Sequence, residues 1–210
     1  MVFRLPENEL AFPDPRLADP DGLLAVGGDL SLARLLLAYR HGIFPWFSED
    51  DPICWYSPHE RCVIFPEEVK VSKSMRKVIS SNQLRVTNNV AFAEVIKNCA
   101  ETGRKDQPGT WITSEMQNAY INLHMHGFAS SVEVWQGEDL VGGLYGVTIG
   151  KVFCGESMFS LVSNASKTAL INLCGSGKFN LIDCQLPNDH LLSLGAVVIG
   201  RDEYMSWLEA

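Results

Sequence analysis

The stretch Phe153-Cys154-Gly155-Glu156-Ser157-Met158-Phe159-Ser160 has the composition of a buried β-strand, yet it carries a carboxylate, Glu156, in its middle. A second strand-like run, Leu181-Ile182-Asp183-Cys184-Gln185, repeats this pattern with Asp183. A charge among apolar neighbours costs several kcal/mol unless it is paired or used in chemistry. Two such charges in one domain therefore predict a functional site.

Side chains alternate along each of these strands. Cys154, Glu156 and Met158 are predicted to share one face of the first strand, and Asp183 and Gln185 share a face of the second. The Asp183–Gln185 pair has two interpretations. It is either a structural hydrogen-bond network or a carboxylate aimed at an amine, with the amide fixing its orientation.

The sequence around these strands predicts an α+β fold. Two helices, with Asn88 or Asn89 and Thr113 as their N-caps, precede an antiparallel meander. The strands are predicted at residues 130–135, 139–147, 152–159, 180–184 and 196–200. With helices between the later strands, this order predicts a mixed central sheet covered by helices, the layout of an acetyltransferase-like (GNAT) core.

The first part of the chain is rich in proline and in turns. Residues 1–65 are predicted to form a small irregular N-terminal domain, and residues 66–210 the GNAT-like domain. One helix is expected in the first domain, with Ser31 as its N-cap and Gly42 beyond its end.

Composition indicates a soluble globular protein of 210 residues, with 46% hydrophobic and 20% charged residues. No apolar run approaches the roughly 18 residues that span a bilayer, and the N-terminus lacks the pattern of a secretion signal. The six cysteines include no CxxC pair, which favours reduced thiols in a cytoplasmic protein. The spacing of Cys54, His59 and Cys62 matches no common zinc pattern, so no metal is expected.

Charge is unevenly distributed. The net charge of −8 argues against a nucleic-acid partner. However, a basic segment with no acidic residue between its members contains Lys70, Lys73, Arg76, Lys77 and Arg85. These residues form either a solvated helix face or a patch that binds phosphates.

Two tryptophans lie in loops next to helices. Trp46 belongs to Gly42-Ile43-Phe44-Pro45-Trp46-Phe47, and Trp111 to Gly109-Thr110-Trp111-Ile112-Thr113. Such rings either seal a contact between domains or stack on a nucleic-acid base, an interaction that contributes roughly 1–3 kcal/mol.

Two phosphate-binding patterns are absent from the sequence. There is no GxxxxGK[ST] loop, and the segment Ser160-Leu161-Val162-Ser163-Asn164 lacks the glycine-rich turn with which acetyltransferases hold coenzyme A. A GNAT-like sheet without that turn is expected to use a different acyl donor.

Short sequence blocks occur in a specific order from about residue 10 to residue 205. They include the two strands and the two tryptophan loops quoted above, together with Gly27-Gly28-Asp29-Leu30, Gly142-Gly143-Leu144-Tyr145-Gly146 and Asn164-Ala165-Ser166-Lys167. This ordered set resembles the leucyl/phenylalanyl-tRNA–protein transferase family. The resemblance implies a small N-terminal domain joined to a GNAT-like domain, without a coenzyme or a metal.

The resemblance also implies a reaction. Leu or Phe, and Met less well, moves from leucyl-tRNA or phenylalanyl-tRNA to the α-amino group of a protein that begins with Arg or Lys. The product carries an N-degron that marks it for degradation. No membrane partner is implied.

Site residues follow from the resemblance position by position. Trp46 and Trp111 are expected to hold the terminal adenosine of the tRNA. The pocket for the donor side chain is expected to contain Leu144, Phe153, Met158, Leu170, Leu173 and Ile182. Strict alternation puts Phe153 and Met158 on opposite faces, so a shared pocket requires a bulge, for which Gly155 is the candidate.

The polar residues receive roles in the same way. Glu156 is expected near the N-terminus of the acceptor. Asp183, oriented by Gln185, is expected to receive or steer the proton of the attacking amine. The basic residues 70–85 are expected to contact the tRNA backbone.

Two other function classes compete with this one. A coenzyme A-dependent acyltransferase predicts tight binding of acetyl-coenzyme A. A non-catalytic RNA-binding module predicts that Asp183→Ala and Glu156→Ala leave the only activity, binding, unchanged. A transferase predicts large losses of transfer rate in both variants with a modest loss of tRNA affinity.

Overall fold

A computed structural model describes residues 2–102 and 110–209 of the chain. The strands in this part are β1 Phe3–Leu5, β2 Leu23–Gly27, β3 Phe44–Pro45, β4 Cys54–Tyr56, β5 Glu60–Ile64, β6 Arg85–Asn88, β7 Ala129–Gln136, β8 Asp139–Ile149, β9 Val152–Ser160, β10 Leu181–Gln185 and β11 Val197–Gly200. The helices are α1 Leu32–Arg40, α2 Lys73–Ser80, α3 Phe92–Glu101, α4 Ser114–Met125, α5 Ala165–Cys174, α6 Asp189–Ser193 and α7 Arg201–Glu209.

Most of the strands form one seven-stranded sheet, in the order β11-β5-β10-β9-β8-β7-β6. Strands β9 and β10 run parallel, and the other neighbours are antiparallel. The sheet is therefore mixed, and the predicted meander is its β7–β8–β9 part. The predicted α+β class with a mixed central sheet is confirmed.

Side-chain caps explain where two of the helices begin. Ser31 accepts a hydrogen bond from the Arg34 amide at the start of α1, and Thr113 accepts one from the Met116 amide at the start of α4. Both predicted caps are confirmed. The prediction of Asn88 or Asn89 as the cap of α3 is wrong. Asn88 ends β6, and the Asn89 side chain instead accepts from the Ser131 amide at 2.9 Å.

A smaller four-stranded sheet, in the order β1-β2-β4-β3, forms in the N-terminal part. Strand β5 does not belong to it, because β5 pairs with β10 and β11 of the large sheet. Pairing thus joins residues 60–64 to the large sheet, whereas the sequence-based boundary at residue 65 assigns them to the N-terminal domain. We propose a boundary just before β5, and the two-domain division itself stays a prediction.

A β-bulge interrupts the pairing of β8 with β9. Tyr145 pairs with Ser157 and Gly146 pairs with Gly155, so Glu156 has no partner across the ladder. The extra residue reverses the alternation of side chains beyond it. As a result, Phe153 and Met158 both pack into the apolar layer on one side of the sheet. The predicted bulge is present, and its extra residue is Glu156, next to the candidate Gly155.

Helices cover both faces of the large sheet. Helix α5 supplies Ala169, Leu170 and Leu173 to the apolar layer on one face. On the other face, α3, α4 and the N-terminal helix α1 share a layer that includes Leu35 and Tyr120. Among the helices of the described residues, none combines the length and the apolar character that crossing a membrane requires.

Candidate active site

A cavity of about 640 Å³ opens beside the bulge, between β8–β10, α5, α6 and the segment around β3. Its volume is in the range of small-molecule sites. The structure brings together in its wall all six residues predicted for the donor pocket: Leu144, Phe153, Met158, Leu170, Leu173 and Ile182. Five of these six side chains are buried, and Met158 is partly exposed. The bulge is what lets β9 contribute both Phe153 and Met158.

Both predicted tryptophans also line this cavity. Trp46 is 39% exposed and lies against Tyr56, with ring centroids 5.7 Å apart. Trp111 is partly buried beside the start of α4. Gly109, which precedes Trp111 in the quoted motif, lies outside the described residues. Two indole rings at the edge of an apolar cavity offer flat surfaces on which a nucleobase can stack.

Glu156 lines the cavity and has a buried carboxylate. Its Oε2 accepts a hydrogen bond from the Tyr120 hydroxyl at 3.1 Å, whereas its buried Oε1 has no hydrogen-bond partner within the described part of the chain. Burial raises the pKa of Glu156 to about 7, although the hydroxyls of Tyr39 and Tyr120 act in the opposite direction. The carboxyl group therefore changes its charge near neutral pH.

Asp183 is fully buried and does not line the cavity. Arg61 donates to both of its oxygens at 2.8 Å, and Tyr204 donates to Oδ2 at 2.9 Å. Burial opposes the charge of Arg61, but Asp183 outweighs it and the pKa of the guanidinium is raised. These hydrogen bonds hold both carboxylate oxygens in place, and the carboxylate lies behind the cavity wall.

Gln185 connects Asp183 to the cavity. The backbone amide of Gln185 donates to Asp183 Oδ1 at 2.9 Å, and its side-chain Nε2 donates to Asp183 Oδ2 at 3.4 Å. The backbone of Gln185 is left-handed, with φ of 57°, at a register shift between β10 and β5. Its side chain lines the cavity. Asp183 and Gln185 are therefore in contact, as predicted. However, Gln185 is the residue that lines the cavity, and the Asp183 carboxylate holds it in place.

His190 and Cys184 also belong to the cavity wall. Burial, together with Lys167, lowers the pKa of His190, which favours a neutral imidazole. All six cysteines, each of which lies in the described residues, are free thiols. The Cys54, His59 and Cys62 set forms no metal-binding cluster within residues 2–102 and 110–209.

The predicted basic residues lie away from the cavity wall. All five are exposed: Lys70, Lys73, Arg76, Lys77 and Arg85. Three of them project from helix α2, which buries only Met75. Arg85, on the edge strand β6, lies over the Trp135 ring, with 5.3 Å between the guanidinium carbon and the ring centroid. The basic segment is thus a solvent-facing surface.

Sequence reasoning missed the residues that hold the two acids. Arg61 and Tyr204 surround Asp183, while Tyr39 and Tyr120 approach Glu156. One available signal was Arg61, an arginine directly before the apolar residues Cys62-Val63-Ile64. Because a buried arginine needs a carboxylate of opposite charge, this position could have been paired with Asp183. The tyrosines carry no comparable signal, because a tyrosine in an apolar helix face is an ordinary core residue.

Comparison with known proteins identifies the family. The family model described as "Leucyl/phenylalanyl-tRNA protein transferase" matches residues 63–209, and the model of that protein's N-terminal domain matches residues 28–59. The chain belongs to this family. It is similar to the protein of that name from Flavobacterium psychrophilum, with 56% identity over 205 residues that cover 96% of this chain and 97% of that protein. It is also similar to the one from Cellvibrio japonicus, with 52% identity over 213 residues that cover 99% and 90%.

Membership of the leucyl/phenylalanyl-tRNA protein transferase family makes this chain an aminoacyltransferase. Among solved structures, a GCN5-related N-acetyltransferase from Kribbella flavida is similar with 14% identity and a TM-score of 0.37, over 80% of this chain and 63% of that one. At this TM-score the likeness carries no argument.

Proposed function

We propose that this transferase moves Leu or Phe, and Met less well, from its charged tRNA to the α-amino group of proteins that begin with Arg or Lys. In the reaction, the amine nitrogen forms a bond to the ester carbonyl carbon while the bond from that carbon to the tRNA ribose oxygen breaks, and a proton from the amine ends on that oxygen. The product carries an N-degron. The observation that carries the proposal is the apolar cavity, with Trp46 and Trp111 in its wall and Glu156 and Gln185 beside them.

The apolar part of the cavity fits the side chain of the donor. Leu, Phe and Met side chains gain free energy when their apolar surface leaves water, whereas a charged side chain would lose its hydration without finding a partner there. Differences of one or two methylene groups change binding by only about 1–3 kcal/mol. A pocket of this kind therefore accepts several apolar amino acids and rejects polar ones.

The tryptophans fit the tRNA end. The amino acid is esterified to the terminal adenosine, so a base must lie within a few bonds of the occupied cavity. Trp46 and Trp111 offer the flat surfaces for it, and we expect Trp111→Ala to weaken donor binding about 5- to 150-fold, the equivalent of roughly 1–3 kcal/mol. The basic segment around α2 is proposed to contact the tRNA backbone.

The polar residues fit the acceptor. An ionised Glu156 attracts the cationic N-terminus and side chain of an acceptor that begins with Arg or Lys. Gln185, which Asp183 holds and which lines the cavity, is proposed to orient the attacking amine. Because the ester is already activated, most of the acceleration is expected from positioning of the two substrates. We further propose that the reaction takes place in the cytoplasm, without a coenzyme.

The decisive experiment measures transfer of labelled Phe from charged tRNA to a peptide that begins with Arg. The matched control is the same peptide beginning with Ala. Label is expected on the Arg peptide and not on the Ala peptide. Equal labelling of both peptides would remove the acceptor specificity, and absence of label from both would remove the proposed reaction.

A further inference from the structure

A chain of hydroxyl groups reaches Glu156 from two different helices. Tyr120 of α4 donates to Glu156 Oε2, and the Tyr39 hydroxyl of α1 is hydrogen-bonded to that of Tyr120. Both phenols are fully buried. Since a phenol has one proton and Tyr120 gives its own to Glu156, the Tyr39 hydroxyl must be the donor to Tyr120. Every hydrogen bond in this chain therefore points toward the carboxylate.

We propose that Tyr39 is a positioning residue for Glu156, acting together with Tyr120 to keep the carboxylate ionised and its Oε1 available to the amino group of the acceptor. This inference rests on the proposed function, in which Glu156 faces the acceptor. It gives the N-terminal helix α1 a part in the chemistry of the site.

The physical reason is a balance at one carboxyl group. Burial favours the neutral form of Glu156, and hydrogen bonds donated to the charged form favour ionisation. A chain of donors that all point the same way polarises each successive hydroxyl and strengthens the bond at its end. Without the chain the balance moves further toward the neutral carboxyl group, which neither attracts an ammonium group nor accepts its proton.

Other groups near Glu156 do not replace the two phenols. Across the sheet, Asp183 opposes ionisation and Arg61 favours it, and these two groups satisfy each other. The other titratable groups in the cavity wall are Cys184, Asp189 and His190. Cys154 lies on the same strand as Glu156, Tyr145 on β8 contacts the Tyr120 ring, and Tyr204 on α7 contacts Cys154. Of the hydroxyls in the described residues, those of Tyr39 and Tyr120 are the ones that lower the pKa of Glu156.

The test compares the wild type with Tyr39→Phe and Tyr120→Phe, which keep the rings and delete the hydroxyls. The first readout is the pH profile of kcat/KM for Phe transfer. The second is a direct titration of Glu156 by NMR of protein labelled with ¹³C at the glutamate carboxyls, assigned with Glu156→Gln. Loss of a donor destabilises the charged form, so the midpoint must move to higher pH. We expect a rise of about one pH unit in each variant, because both hydroxyls lower the pKa of Glu156.

A structural role alone would lower activity equally at every pH. The proposal instead expects Tyr39→Phe to approach wild-type activity at about pH 8.5, where Glu156 is ionised in both proteins. Ser131→Ala is the matched control, because it deletes a buried hydroxyl that donates to a different buried carboxylate, Glu133, at 2.5 Å. Its pH profile should coincide with that of the wild type.

Each outcome decides the proposal. A Glu156 midpoint that is the same in wild type and Tyr39→Phe overturns it, and so does a loss of activity that is independent of pH. If Tyr39→Phe does not fold, an unshifted midpoint in Tyr120→Phe overturns it equally. If no protein transfers Phe, the proposed function fails, and the NMR titration alone decides whether Tyr39 controls the ionisation of Glu156.

Discussion

At the scale of single residues, the Arg61–Asp183 pair connects the two parts of the chain. Arg61 donates to both oxygens of Asp183 and to the carbonyl oxygen of Gly42 at 3.1 Å, and its guanidinium lies between the rings of Phe44 and Tyr204. One buried cation thus fixes the strand that carries Asp183 and the turn that leads to Trp46. The pair holds the cavity wall together from behind.

The main effect of removing Arg61 should therefore be a loss of folding stability. Arg61→Ala leaves the Asp183 charge buried without its main partner, so we expect the free energy of unfolding to fall by about 3–5 kcal/mol. Urea unfolding measures this change. Arg16→Ala is the control, since Arg16 forms an exposed ion pair with Asp202 at 3.0 Å and should leave the unfolding curve almost unchanged. Equal effects of the two substitutions would contradict the structural importance of the buried pair.

The second residue-scale prediction concerns the pH dependence of stability. The pKa of Glu156 is about 7 in the folded protein and about 4.5 as a free group, so the folded state binds the proton more tightly. Its effect on stability is absent below about pH 4.5, grows as the pH rises through this window, and is a full penalty above about pH 7. Glu156→Gln should therefore be more stable than the wild type at pH 8, by roughly 1–3 kcal/mol, and equal to it at pH 4.5.

Thermal unfolding of both proteins across this pH range measures the difference. A stability difference that is constant with pH would mean that Glu156 titrates normally. The same substitution removes the charge proposed to attract the acceptor, so the more stable variant should be the poorer enzyme.

The site residues differ in how far the sequence reveals them. Glu156 and Asp183 stand out because a charge inside an apolar strand is unusual, and this was enough to predict that both belong to a functional site. Which acid borders the cavity depends on partners from distant segments, Arg61 and Tyr120, and no local pattern encodes that pairing. For the same reason the sequence suggested that Gln185 orients Asp183, whereas in the structure the buried carboxylate orients the amide.

At the scale of elements, the bulge between β8 and β9 shapes the site. It brings Phe153 and Met158 to one face and takes Glu156 out of the ladder. Gly146, opposite the bulge, is the residue that permits this geometry. A Cβ atom there would lie 2.2 Å from the Cys154 carbonyl oxygen and 2.6 Å from the Phe153 ring.

Gly146→Ala should consequently open the register at the bulge. Because the closest clash is with backbone, we expect a loss of about 1–3 kcal/mol in unfolding free energy. Displacement of Glu156 and Phe153 should also lower Phe transfer beyond what the lost stability explains. Gly200→Ala is the control, since no atom lies within 4 Å of the added Cβ. If the two variants unfold and react alike, the close approach at Gly146 does not shape the site.

Long elements were predictable and short ones were not. The meander, α4 and α5 carry clear periodicity over many residues, which local sequence reports well. Helix α2 was considered only as one interpretation of the basic segment, because it is eight residues long and buries only Met75. Strand β6 was missed because it is a four-residue edge strand, stabilised by its pairing with β7. The bulge was foreseen only because two pocket residues of opposite alternation had to share a face.

At the scale of the whole molecule, the chain must bind a polyanion while carrying a net charge of −8. A uniform acidic surface would repel tRNA, so recognition requires a local concentration of positive charge. Helix α2 provides one, with Lys73, Arg76 and Lys77 exposed and no acidic residue in the helix. Under the proposed function, this helix contributes most of the salt-sensitive part of tRNA binding.

Neutralising Lys73, Arg76 and Lys77 with glutamine should therefore flatten the salt dependence of tRNA binding. Each contact with a phosphate releases counterions, and its loss lowers the slope of log K against log salt by about one. We expect the triple variant to lose up to about three from that slope, measured by tRNA titrations at a series of salt concentrations. Transfer at saturating tRNA should change little, because these side chains lie away from the cavity.

The control separates local contact from total charge. Lys97, Lys151 and Lys178 are also exposed, and they lie on α3, on the β8–β9 turn and after α5. Their replacement by glutamine also removes three positive charges, so the net charge of this variant equals that of the α2 variant. If the repulsion of the whole molecule governed binding, both triple variants would lose affinity equally. A local patch predicts a reduced slope in the α2 variant alone, and an unaltered slope there would move the tRNA contact to another surface.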